Sequence, residues 1–137
     1  MDYAVCLSLP ASAGYLQLTR LVAGECAARI DFDLEGVDDL SLAVDELCLK
    51  LISFAGDVEG TLTIYFGWTD EYFEVKCQLA SSREDDPALD AEGFTAEDYA
   101  ISDQILDALI DQHGQRNENN QPTTWLRVQR VEHHRAK

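Results

Sequence analysis

The spacing of apolar residues switches between a period of two and a helical period, and each switch marks an element. Tyr3, Val5, Leu7 and Leu9 alternate with Ala4, Cys6 and Ser8, which predicts a short strand ended by Pro10. Ser12 can cap a helix over about 12–30, where Tyr15, Leu18, Val22 and Cys26 recur at helical spacing. An acidic connector, Asp31 to Gly36, follows with Phe32 and Leu34 as inward anchors. Val37, Leu40, Val44, Leu47, Cys48, Leu51, Ile52 and Ala55 then form one apolar stripe over about 37–55. Asp38 and Asp39 sit in the first turn of that helix, where they complement its dipole, and Gly56-Asp57 ends it.

The period then returns to two. Leu62, Ile64, Phe66 and Trp68 form one run and Phe73, Val75, Cys77 and Leu79 the next, joined by Thr69-Asp70-Glu71 as a hairpin. Residues 81–94 read as a mobile acidic loop, and Thr95 with Asp98 resembles a capping box. Ile101, Ile105 and Leu109, with Leu106 and Ile110, predict a third helix to about 112 that Gly114 stops. Gln115 to Pro122 reads as a polar loop, and Trp125 to Val131 as the last strand. The order β-α-α-β-β-α-β predicts an α+β fold: a two-layer sandwich whose mainly antiparallel sheet is covered on one face by three helices. At 137 residues the prior is one domain, 1–137.

Charge narrows the partners. Ten Lys+Arg against 26 Asp+Glu give a formal charge of −16. That argues against nucleic acid and against anionic membrane, both of which select basic surfaces. Arg127, Arg130, Arg135 and Lys137 cluster at the end, as a solvated strand and tail or as a contact for an acidic face. No signal peptide and no apolar run of spanning length is read, so a soluble cytoplasmic protein is expected. Cys6, Cys26, Cys48 and Cys77 form no CxxC motif and read as buried free thiols. His133-His134 lacks a partner ligand at useful spacing, so no metal site is expected. Trp68 and Trp125 read as packed rings, with an interface anchor as the alternative.

The segment Asp38-Asp39-Leu40-Ser41-Leu42-Ala43-Val44-Asp45-Glu46-Leu47-Cys48-Leu49-Lys50-Leu51-Ile52 resembles the first ATP-site helix of the anti-sigma-factor serine kinases, the RsbW and SpoIIAB type. These belong to the GHKL (Bergerat) ATPase superfamily, with gyrase, histidine kinases and MutL. The wording is nearest to the actinobacterial sigma-F anti-sigma factors of the RsbW (UsfX) type, which carry a similar LAVDE helix. The element order agrees along nearly the whole chain.

The resemblance implies a general-base Glu on this helix, a magnesium-holding Asn one turn later, and two glycine boxes around ATP. Glu46 stands at the general-base position, with Asp45 beside it. Lys50 stands where the Asn belongs, and at i and i+4 the two would pair across a turn. Ser81 to Pro87 holds no glycine where the adenine box belongs, and Tyr99 to Gln104 none where the phosphate loop belongs. Backbone approach to phosphate is penalised without glycine. The fold is therefore expected to be kept and ATP turnover lost, with no cofactor; ATP and magnesium enter only under the alternative of a working protein-serine kinase. The resemblance further implies sequestration of a sigma factor and release by a STAS-domain anti-anti-sigma protein. Its sigma and dimer contacts map to the face around helix 12–30, with Arg20 and Arg29 as basic candidates; whether this chain forms a homodimer is left open. An unrelated α+β domain is the third reading.

Overall fold

The computed structural model describes residues 2–56, 59–81 and 100–130. Strand β1 (Val5–Pro10) leads through a 3-10 turn at Ala13–Tyr15 into helix α1 (Leu16–Arg29). Helix α2 (Leu34–Ala55) follows, then strands β2 (Gly60–Trp68) and β3 (Tyr72–Ser81). Helix α3 (Ala100–Leu109) precedes strands β4 (Gln112–Glu118) and β5 (Gln121–Gln129). The five strands pair antiparallel in the order β1-β2-β3-β5-β4, and the helices cover one face. The α+β sandwich expected from the periodicity is the fold observed.

Alternation decides what each face holds. Leu62, Ile64 and Phe66 of β2 and Phe73, Val75, Cys77 and Leu79 of β3 point toward the helices and are buried. Against them lies the stripe of α2, in which Leu40, Val44, Leu47, Cys48 and Leu51 are at most 1% exposed. Each such leucine contributes about 2 kcal/mol of transfer free energy. The Thr124 hydroxyl of β5 donates to the Leu47 carbonyl at 3.1 Å, which ties sheet to helix inside the core.

Four local expectations are corrected. Helix α2 starts a turn earlier than Val37: Asp33 is its N-cap, its carboxylate accepting from Gly36 N–H at 2.7 Å, so Asp38 and Asp39 fall beyond the first residues. Leu34 is therefore no inward anchor but is 79% exposed, whereas Phe32 packs edge-on against Phe73. On α3 the buried residue is Leu106, while Ile101 and Ile105 are exposed. Cys6 is not buried; it lies exposed on β1, while Cys26, Cys48 and Cys77 are buried as read. The acidic segment 82–94, the Thr95–Asp98 capping box, the tail from residue 131 and Asp57 lie outside the described residues.

The largest difference is β4, a strand where a polar loop was read. Its residues are polar on both faces, because it is an edge strand opposite β5. Asn119 and Asn120 take φ of 54° and 64° in the turn to β5, as a tight hairpin requires. Gly114 thus stops no helix. It pairs with Trp125, and a Cβ there would stand 2.8–2.9 Å from the indole ring. Gly114→Ala is expected to cost about 1–2 kcal/mol through this overlap. In Trp125→Ala the same substitution should be close to neutral; equal losses in both backgrounds by urea denaturation would remove the indole as the cause.

Candidate functional site

Helical spacing puts Glu46 and Lys50 on one side of α2, one turn apart. Two further elements close over them. The first turns of α3 bring Ser102 and Asp103, which precede Leu106 and Ile110 at helical spacing and so share their inward side. The inner face of β4 brings Gln115, opposite Thr124.

The Ser102 hydroxyl donates to the Glu46 carboxylate at 2.7 Å. The Lys50 ammonium pairs with the Asp103 carboxylate and donates to Gln115 Oε1 at 2.7 Å. Lys50 is 1% exposed, and Asp103 is 45% exposed. The expected Glu46–Lys50 pair across a turn is thus replaced: each side chain turns to a partner on another element. Burial explains the choice, because an ammonium removed from water needs both a counter-ion and acceptors for its protons. The cluster joins α2, α3 and β4.

Sequence reading singled out Glu46 and Lys50 but missed Ser102, Asp103 and Gln115 as their partners. The signal available was the phase of α3, which sets Ser102 and Asp103 on the side of Leu106. Gln115 carried no signal while its segment read as a loop.

The resemblance would have magnesium held from position 50. An ammonium has no lone pair for a metal, and this one is buried with its own carboxylate. The residues present do not fit that ion. Among the described residues no group of three His, Cys, Asp or Glu could hold a metal. A groove of about 820 Å³ opens elsewhere, between Asp70, Glu71, Tyr72, Asp111 and Arg130, and includes neither Glu46 nor Lys50.

Asp45 does not border Glu46 chemically; it binds Arg20 of α1 at 2.9 Å. Arg29 pairs with Glu25 one turn earlier at 3.0 Å, largely in solvent. Both arginines lie on α1, as mapped, and both are engaged within the chain. Cys48 lies 3.8 Å from Cys77, sulfur to sulfur. The contact with Cys77 and burial hold the Cys48 thiol well above its ordinary range, so it is inert packing. Trp68 stacks on Phe73 at 5.8 Å, whereas Trp125 lies on the open face of the sheet. Among the described residues no helix is long and apolar enough to cross a membrane.

No protein-family model matches the chain. Similar proteins include the serine-protein kinases RsbW of Bacillus cereus (strain B4264) and Bacillus mycoides (strain KBAB4), each 29% identical over 70 residues. RsbW of Bacillus thuringiensis subsp. konkukian (strain 97-27) is 27% identical over 70 residues. These matches cover 50% of this chain and 44% of each relative, so the chain aligns with less than half the length of the relatives it matches. In wording over half its length, and in an α+β sandwich with Glu46 on the second helix, the chain resembles the RsbW serine-protein kinases.

Proposed function

We propose that this chain is an anti-sigma-factor-like regulator that holds a sigma factor by protein–protein contact, yields it to a STAS-domain anti-anti-sigma protein, and does so without turning over ATP. The observation that carries the loss of turnover is the buried Lys50. Its ammonium, with Asp103 and Gln115, takes the place from which the family would hold magnesium. The contact surface is assigned to α1, where Arg20 and Arg29 flank exposed Leu18 and Leu21. The acidic surface suits a locally basic partner.

Calorimetric titration with ATP or ADP plus magnesium tests this, with Lys50→Asn alongside. The expected result is no heat and no change in melting temperature. Ligand at a hundred times its Kd would instead stabilise the protein by about 2.7 kcal/mol, an unmistakable shift. Micromolar, magnesium-dependent binding overturns the reading.

A second reading, a serine kinase with an altered ATP site, rests on Glu46 accepting a hydrogen bond from the Ser102 hydroxyl at 2.7 Å, the reach at which a general base meets a hydroxyl. It requires that nucleotide binding be found and that Glu46→Ala abolish phosphorylation of the STAS protein.

A further inference from the structure

The outward face of the sheet is chemically unlike the rest of this acidic chain. Register places Cys6, Tyr65, Lys76, Trp125 and Gly114 in one row across all five strands. The Lys76 ammonium lies 5.2 Å and 5.3 Å from the ring centroids of Tyr3 and Tyr65. The Arg116 guanidinium lies 5.6 Å from the Trp125 ring, and Arg127 lies 4.2 Å from the Tyr72 ring. Cation–π contacts of this kind hold the charges over the aromatic surface.

Two carboxylates serve these three cations. Glu74 takes two hydrogen bonds from Arg127, at 2.7 Å and 3.1 Å, and one from Tyr3. Glu118 takes Lys76 at 3.1 Å, Gln78 at 3.2 Å and Arg116. Burial opposes ionisation of both, but these donors outweigh it and hold both carboxyls below their ordinary range. Donors are therefore in excess: one carboxylate satisfies Lys76, Gln78 and Arg116 together, and Arg116 stays 46% exposed.

Among the described residues, the five charged groups of this network, Lys76, Arg116 and Arg127 against Glu74 and Glu118, sum to one positive charge on a chain of −16. Asp70, Glu71 and Asp111 line, with Arg130, the groove at the Arg127 end of this face. Arg116 stands four strand residues from Gln112 of that groove, roughly 13 Å and beyond the Debye length of about 8 Å at physiological salt, so a ligand at Arg116 and Lys76 meets the local sign first. Half-buried tyrosine and tryptophan beside arginine is the composition of interface cores.

We propose that this sheet face docks an acidic segment of a partner protein, whose carboxylates join Arg116 and Lys76 beside Trp125. The surface lies on the opposite side of the sheet from α1, and the inference stands whether or not the chain binds a sigma factor.

Trp68→Phe leaves Trp125 as the only tryptophan, and its emission reports directly. Titration with octaglutamate is expected to shift that emission saturably and to weaken with salt. Arg116→Glu, at a part-exposed position, should weaken binding at least about tenfold, with melting lowered only by the loss of its surface pair with Glu118. Octalysine should give no shift. On the unsubstituted chain, amide shifts should centre on Lys76, Arg116 and Trp125, which keeps the test independent of the Trp68 change. No response, a response undiminished in Arg116→Glu, or tighter binding of an octathymidylate than of octaglutamate would each overturn the proposal.

Discussion

Asp103→Ala is expected to cost about 3 kcal/mol, while Lys50→Met at the other end of the same ion pair leaves stability unchanged or improves it. The asymmetry follows from burial. Lys50 is 1% exposed and Asp103 45%, so deleting the aspartate strands an ammonium in the core with the Gln115 oxygen as its one remaining partner among the described residues. Deleting the lysine strands no charge, since the carboxylate already reaches water. Methionine fills the volume of the lysine stem, and exchanging a buried ion pair for apolar packing is often neutral or favourable. For a chain of this length the loss in Asp103→Ala corresponds to roughly 10 °C in melting temperature. Lys50→Met/Asp103→Ala should recover most of it, because no unpaired charge remains. Calorimetric melting of the four proteins decides the matter. Equal losses from both single variants would mean that the pair stabilises the fold outright, rather than serving to neutralise a lysine that position 50 has come to hold.

That lysine also marks where sequence reasoning stopped. The stripe of α2 and the strict alternation of β2 and β3 were legible, because each buries one face and leaves the other wet. Strand β4 was not, because its inner face meets a polar cluster: Gln115 there serves Lys50 and not the core. A strand whose inward residues are polar shows no period of two. The exposed Ile101 and Leu34 misled in the opposite sense, since hydrophobic residues outside are common and only the phase of the neighbouring helical turn separates them from core. Glu46 was readable from the wording of its helix. Its partner Ser102 was not, because the contact spans 56 residues and depends on how α3 returns to α2.

If the chain holds a sigma factor as proposed, Leu21→Lys is expected to weaken that binding by about thirtyfold or more, about 2 kcal/mol, with no change in melting. Helix α1 buries Leu16, Ala23, Cys26 and Ala27 yet shows Leu18 and Leu21 on its other side, with Leu21 63% exposed. A helix apolar on both sides needs cover on both. Beside it runs a groove of about 250 Å³ between Val5, Leu21, Val22 and Cys26, rimmed by Glu25 and Arg29. The neighbouring strand β1 is the sheet's first edge. An apolar floor with a charged rim is the anatomy of a protein interface. Because Leu21 already meets water, lysine there costs the isolated protein no more than about 0.5 kcal/mol. Leu42→Lys is the matched control: it adds the same charge at a leucine 53% exposed on α2. Binding kinetics against the sigma factor of that proposal should show the loss for Leu21→Lys alone, chiefly as faster dissociation. Equal affinity for both variants would move the partner off α1, and equal losses would reduce the effect to net charge.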